Sequence, residues 1–472
     1  MKKVWLVVAL AALGGLASKT FADVQNIRLS GDIRIRGYFL DSTGALTPGT
    51  APVGQLDGNE AFISQRTRVS CEADLEDHVL VVVTLQAEGE WGADNQGTIT
   101  GSSGAGSGQS NGAINRRWGV GVSEAYVQFN EIFYTPATLK LGRQFLQYGR
   151  GLILSSVEQE YNYDAGRLVL DYYPLTIDIV GAELVNNQTF GGQPSHLGAN
   201  DLLFVNARYE FSDSAIKDIE AYFGYVSQSQ DHLLAESRTP PTAATGSSPM
   251  IIGVRADINP VDALQTWWEA AYEFGANGDN TLIGGTDDGG TIGAFLLNAG
   301  GKYTLKDVQW VPALNGNFIY ASGGGRGTDG GTGEGNDQFR PWFDYADGYN
   351  GYLFEPALTD IAIFNLGASV KPYENTTLAL QGYYYLKADK YGISGSNGNV
   401  DWGGPAWATP APGSTGNNQD LGWELDGILG YDYSKDVRAQ LVYGVFLPAQ
   451  AYRAEGVSRA AEEVRAEVDV KF

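Results

Sequence analysis

The sequence predicts an all-β protein: a transmembrane antiparallel β-barrel of about 18 strands, with long outer loops and short periplasmic turns. Three observations carry that prediction. Apolar residues recur at alternate positions in segment after segment, and the links between segments alternate between short and long. Beyond the N-terminal segment, no apolar run approaches the roughly 18 residues that a membrane helix requires.

The alternation is plainest at the two ends and near residue 425. Ile27, Leu29, Ile33, Ile35 and Phe39 share one strand face, opposite Arg28, Ser30, Asp32, Arg34 and Arg36. Val464, Ala466, Val468, Val470 and Phe472 alternate with Arg465, Glu467, Asp469 and Lys471. Leu421, Trp423, Leu425 and Leu429 oppose Glu424 and Asp426. One face suits hydrocarbon and the other water, the period-2 signature of a strand between two phases. Similar segments fall near 27–39, 62–75, 80–92, 119–130, 137–145, 164–173, 175–185, 201–211 and 218–228. They continue near 250–258, 265–275, 293–305, 314–322, 361–371, 376–387, 421–433, 436–447 and 463–472.

The links separate a membrane barrel from a soluble sandwich. Glu76-Asp77-His78, Tyr173-Pro174, Asn259-Pro260-Val261-Asp262 and Ser434-Lys435-Asp436 are tight turns. Residues 40–61, 93–118, 323–360 and 388–420 are long and rich in Gly, Ser, Asn and Asp. A barrel with short periplasmic turns and long outer loops requires this alternation, whereas a sandwich or propeller does not. Aromatic groups at Trp91, Tyr172-Tyr173, Trp267-Trp268, Tyr383-Tyr384-Tyr385 and Tyr431 fall at strand ends, where interfacial girdles lie. Residues 1–22 read as a signal peptide. Lys2 and Lys3 precede an apolar run from Val4 to Leu16, and Thr20-Phe21-Ala22 fits a cleavage site. Residues 23–472 then form one domain, the barrel, and the implied localisation is the bacterial outer membrane, with its lipid as a partner.

Composition narrows the function classes. The formal net charge of −24 argues against nucleic acid, whose phosphates need a basic surface. One cysteine, Cys71, permits no internal disulfide, and alternation places it outward between Val69 and Ala73. Of the three histidines, His78 falls in a short turn and His196 and His232 in outer loops, a poor basis for catalysis or metal binding. Loop carboxylates at Asp279, Asp287 and Asp288, or Asp329, Glu334 and Asp337, lack EF-hand spacing. Gly323 to Gly327 lacks the Lys-Ser/Thr of a phosphate loop. The reading is therefore a non-enzyme without cofactor or metal.

Several motifs resemble the alginate export family of bacterial outer-membrane barrels. Leu139-Lys140-Leu141-Gly142-Arg143-Gln144 followed by Tyr148-Gly149-Arg150 is similar to that family's "LGRQ … YGD.R" stretch, with Arg150 where the family has an acidic residue. Gln65-Arg66-Thr67-Arg68 leading to Trp91-Gly92, and Phe339-Arg340-Pro341-Trp342-Phe343 before Tyr352, resemble two further family segments. Leu421-Gly422-Trp423-Glu424-Leu425-Asp426, then Tyr443-Gly444-Val445-Phe446-Leu447-Pro448, resemble its "LG.ELD" and "GYG.F.PG" strands. The resemblance implies 18 strands and passive passage of a polysaccharide or smaller solutes. The terminal Phe472 resembles the closing aromatic that implies recognition by the barrel-assembly machinery.

A barrel of this size encloses water, so selectivity must come from charges and loop constrictions. Arg28, Arg34, Arg36, Arg66 and Arg68 take the polar face of the first two strands, and Arg167, Arg208, Arg255 and Arg438 the same face elsewhere. Guanidinium groups suit planar carboxylates, so these residues are the candidate lining for a saccharide or small anionic solute. Simple alternation turns Arg143 outward, and a bulge at Gly142 would restore it to this set. Glu424 and Asp426 are the candidate acidic lining. Together with Glu88, Glu90, Glu124, Glu269 and Glu273 they allow a second reading, in which paired charges only keep the lumen wet and structured. Alternatives in function are a general or sugar-selective porin, or a structural or adhesive barrel with a plugged lumen. Whether loops 323–360 and 388–420 fold inward separates these.

Overall fold

Strands whose two faces meet different solvents cannot leave an edge unpaired in hydrocarbon, where each bare N–H or C=O costs several kcal/mol. The chain resolves this by closing. The computed structural model describes residues 26–41, 60–76, 78–92, 118–156, 162–185, 200–227, 248–276, 291–323, 339, 342, 350–356, 358–388, 419–453 and 459–472. In these it shows β1 (Asn26–Asp41), β2 (Glu60–Asp74), β3 (Val79–Glu90), β4 (Gly119–Phe129), β5 (Ala137–Gln144), β6 (Tyr163–Tyr172), β7 (Leu175–Val185), β8 (Asn200–Glu210) and β9 (Ile216–Ser227). There follow β10 (Ser248–Val261), β11 (Leu264–Ala276), β12 (Thr291–Thr304), β13 (Ala313–Ala321), β14 (Ile361–Tyr373), β15 (Thr376–Lys387), β16 (Asp420–Asp432), β17 (Val437–Pro448) and β18 (Ala461–Lys471).

Each strand pairs antiparallel with its chain neighbours, and β1 pairs with β18, so the 18-stranded sheet has no edge. Phe472 seals the seam: its N–H donates to the Gly31 carbonyl, and the Gly31 N–H donates back to Phe472. The turn after β10 departs from the sequence expectation. Asn259, Pro260 and Val261 continue the strand beyond a register shift, leaving only Asp262 and Ala263 between β10 and β11. The expected metal-poor loop carboxylates, His196 and His232 lie outside the described residues, as do residues 389–418.

The outward face carries Leu29, Val120, Ile252, Leu366, Leu380, Trp423 and Leu447, each at least half exposed. In water such a band would be an aggregation surface; around a membrane barrel it is the lipid face. Cys71 is exposed on that face. The aromatic groups split by alternation. Tyr172, Tyr173, Trp268 and Tyr431 are exposed and outward, and Tyr384 stacks on Trp423 at 4.2 Å. Tyr383 and Tyr385 instead turn inward and are buried, so that triplet is only partly a girdle.

The largest buried apolar cluster is inside the barrel. Parts of two links on the long-loop side fold into the lumen and pack on its wall: residues 145–156 of one, and Phe339, Trp342, 350–356 and 358–360 of the other. Leu146, Leu152, Ile153 and Leu154 pack with Phe204, Tyr222 and Ile251. Phe354 stacks on Phe446 at 4.5 Å and meets Tyr385 edge-on at 4.8 Å. Trp342 packs over Gly224 of β9, where an added Cβ would stand 2.7 Å from its ring.

Candidate functional site

The first wall is built by β1 and β2. Their register sets Arg34 opposite Arg66, Asp32 opposite Arg68 and Arg36 opposite Ser64, all on the polar face. Like charges directly across a ladder repel, so carboxylates must intervene. Asp32 meets Arg68 at 2.6 Å and Arg66 at 3.5 Å. Arg36 is ion-paired with Glu467, and β18 places Asp469 opposite Arg34. Arg34 and Arg66 are buried, and Arg36 and Arg68 are nearly so. On the other side, β3 sets Glu88 opposite Arg66, so the four guanidinium groups are interleaved with Asp32, Glu88, Glu467 and Asp469. Arg28 sits apart, at the periplasmic end, paired with Glu72 at 3.0 Å and Asp74 at 2.7 Å. At half exposure these pairs contribute little.

The second wall runs over β6 to β11. Arg167 pairs with Asp178 at 2.5 Å, and Arg208 with Asp218 at 3.1 Å. Arg255 meets Glu220 at 2.6 Å, Asp218 at 3.3 Å and also Asp257. The inward segment 145–156 docks here through its backbone. The Gly149 N–H donates to Glu220 (2.8 Å) and the Arg150 N–H to Glu269 (2.9 Å), while the Tyr222 hydroxyl holds the other Glu269 oxygen at 2.9 Å. Gly149 has φ +60°, and a Cβ there would stand 2.3 Å from Glu269, so the close approach requires glycine. Arg150 adds an ion pair to Asp257 at 3.3 Å and lies over Trp267. Burial pushes the Tyr148 phenol well up, with Arg167 opposing, so its hydroxyl stays protonated and donates to Asp178 at 3.0 Å.

Arg143 is a correction. Gly142 has φ +125° yet causes no register shift with β4 or β6, so alternation continues unbroken. Arg143 is exposed on the face of Leu139 and Leu141, opposite Asp164, and Gln144 turns inward with no exposure. Arg438 lies at the periplasmic rim, more than half exposed and 3.9 Å from Asp432.

Glu424 and Asp426 face inward as the alternation requires, but neither lines open water; both are buried. Glu424 grips the second inward segment. It accepts the N–H groups of Tyr352 (2.7 Å), Leu353 (2.9 Å) and Phe354 (2.9 Å). The Tyr385 hydroxyl lies 3.1 Å from the same carboxylate and donates to the Asn350 carbonyl at 2.7 Å. Gly351 has φ +110°, and a Cβ there would come within 2.6 Å of Glu424. Arg465 completes the clamp, donating to Glu463 at 2.6 Å and to the Tyr352 carbonyl at 2.9 Å, and stacking near Tyr38 and Tyr352. Sequence reasoning missed Arg465, Arg150 and the whole 145–156 insertion. The apolar run Leu152-Ile153-Leu154, out of place in an outer loop, was the available signal.

The order and spacing of these elements recur in known sequences. The model of a family described as alginate export matches residues 50–466. The chain belongs to the alginate export family. No curated protein matches the sequence. Among solved structures, this alginate export family member is similar to Pseudomonas aeruginosa OccK8 (OprE), with TM-score 0.54 at 10% identity, covering 96% of this chain and 99% of that one. It is similar to Acinetobacter baumannii OccAB4 (TM-score 0.53, 9% identity, 95% and 99% covered). It is also similar to Pseudomonas aeruginosa OccK2 (OpdF), solved in complex with glucuronate (TM-score 0.52, 9% identity, 96% and 97% covered). At such identity the likeness establishes a shared barrel fold.

Proposed function

We propose that this alginate export family barrel is an outer-membrane channel through which saccharides, or small anionic solutes, pass by diffusion. The observation that carries the reading is the wall of Arg34, Arg36, Arg66 and Arg68, which gathers four guanidinium groups, interleaved with carboxylates, on one stretch of lumen. A channel selects through such rings of fixed charge, and guanidinium groups suit carboxylates best. The glucuronate complex of OccK2 (OpdF) supports a carboxylated sugar as the substrate class. The paired arginines Arg167, Arg208 and Arg255 belong to the same lumen and extend the path as a mixed-charge track. Glu424 serves to seat the inward segment, with Asp426 buried beside it.

The two inward segments share one buried cluster inside the barrel, Trp342 of the second reaching the β9 wall on which the first docks, and in this reading they narrow the lumen to a constriction. In the same reading, residues 1–22 direct export and are removed, and residues 23–472 are the barrel. Phe472 presents the assembly machinery with a terminal aromatic, and the outer-membrane lipid covers the apolar band.

Planar-bilayer recording of the purified protein tests this. Under a potassium chloride gradient the reversal potential should show anion preference. Converting Arg34, Arg36, Arg66 and Arg68 to glutamine should move it towards cation selectivity. Conductance with cation preference in the unaltered protein would remove the carboxylate reading. An absence of conductance would favour a plugged, structural barrel.

A further inference from the structure

Register rows across neighbouring strands set the chemistry of the wall ring by ring. Over most of the lumen those rows carry ion pairs. One strip differs. On β11 to β15, Trp267, Asn317 and Asn365 share a row, and Lys302, Asn315 and Gln381 share the next row towards the periplasm. Lys302, at the strip's edge and exposed, is the one charge among these six.

The amides are held against the wall by one another. Asn315 donates to Asn365 and to Gln381, each at 3.1 Å, and Gln381 donates back to Asn315 at 3.2 Å. Asn365 also donates to Gln381 at 3.1 Å. The Trp267 indole N–H donates to Asn317 at 2.8 Å. Two glycines lie beneath them. A Cβ at Gly367 would stand 2.0 Å from the Gln381 oxygen, and one at Gly300 would stand 2.5 Å from both the Trp267 ring and the Asn317 oxygen. The amide and the indole therefore lie across bare backbone rather than projecting into the lumen. Arg150 covers Trp267 at 4.7 Å and fixes it, which leaves the amides as the groups presented to a solute.

Each primary amide has two N–H donors and a carbonyl with two lone pairs. Asn315 spends both N–H groups, and Asn365 spends its own on Gln381 and the Gly382 carbonyl (3.3 Å), whereas the second N–H of Gln381, a lone pair on each of Asn315 and Asn365, and the Asn317 NH2 exceed these bonds. The four amides are half-buried on the inward face, which leaves them accessible from the lumen. A sugar hydroxyl both donates and accepts. Fixed amides match that dual character, whereas an ionised carboxylate only accepts and a guanidinium only donates. Recognition by such groups penalises a solute that lacks hydroxyls, because the partners are then left unpaired.

We infer that Asn315, Asn317, Asn365 and Gln381 form a hydroxyl-recognising subsite for an uncharged mono- or disaccharide inside the channel. This rests on the channel reading above but not on its anionic substrate class: the strip recognises hydroxyls where the β1–β2 wall recognises carboxylate.

The test uses the purified full-length barrel in a planar bilayer, with potassium chloride current recorded as glucose, sucrose or maltose is added. Saturable block is expected in the unaltered protein. The double variant Asn315→Leu/Gln381→Leu should raise the half-blocking concentration at least about ten-fold, as expected from losing one good hydrogen bond, while chloride current changes less than about two-fold. If that variant fails to fold, judged by heat-modifiable mobility on a gel, Gln381→Glu keeps the size and carries the same expected loss of block. Equal half-blocking concentrations in variant and parent overturn the subsite. So does a sugar effect matched by glycerol at equal viscosity, with chloride conduction intact. An unaltered protein that conducts no chloride overturns the channel reading itself, and this inference with it.

Discussion

Substituting Glu424 by glutamine isolates what holds the second inward segment in place. The carboxylate accepts three backbone N–H groups, from Tyr352 and Leu353 on one oxygen and Phe354 on the other. Glutamine preserves the shape and one accepting oxygen. Its NH2 must then face an N–H donor, and the remaining bonds lose their charge assistance. Leaving one buried donor without its charged acceptor costs roughly 1.5–3 kcal/mol. At about 1.4 kcal/mol per decade, that raises the population of the released segment about ten- to hundred-fold. Phe354, packed between Phe446 and Tyr385, limits the release and keeps the barrel itself intact. In single-channel recordings Glu424→Gln should add frequent transitions to a larger conductance, and protease added from the loop side should cut within 339–360 sooner. Traces and digestion rates identical to the parent's would refute the latch.

Three further outcomes follow from the same geometry. Gly351→Ala places a methyl within 2.6 Å of Glu424 and strains a backbone at φ +110°, so it should reproduce the flicker of Glu424→Gln by a different route; a quiet channel would contradict it. Arg465→Met leaves Glu463 buried without its partner at 2.6 Å, a loss of about 3–5 kcal/mol, which should appear as a lower urea midpoint for the folded barrel in micelles. Leu366→Arg sets a charge on the outward face midway along β14. It should destabilise folding into vesicles by about 2–4 kcal/mol, while Asn365→Arg, one residue away and inward, should not.

The strands were legible because alternation is a local property: Ile33, Ile35 and Phe39 announce their face without knowledge of any partner. Closure was legible from link lengths. The same rule corrected its own exception, since Arg143 follows simple alternation outward and the bulge proposed at Gly142 does not form. The inward segments were not legible from polarity alone. Glu424 and Asp426 resemble any water-facing carboxylates on an alternating strand, and their burial is decided by a segment about 70 residues earlier that offers backbone N–H groups. Backbone donors carry no sequence signature. The glycines at 149 and 351 are the nearest to one, marking where a chain must approach a wall carboxylate without a Cβ between them. The amide strip was hidden for a related reason: Asn315, Asn365 and Gln381 are 16 to 66 residues apart and meet only through register.

Single cysteines placed along β14, in a Cys71→Ala background reconstituted into vesicles, test most directly whether lipid surrounds these strands and water fills them. A membrane-impermeant thiol reagent should modify position 365 and spare positions 364 and 366, whose side chains face outward. Uniform labelling along the strand, or labelling of 364 and 366 in preference to 365, would contradict the account.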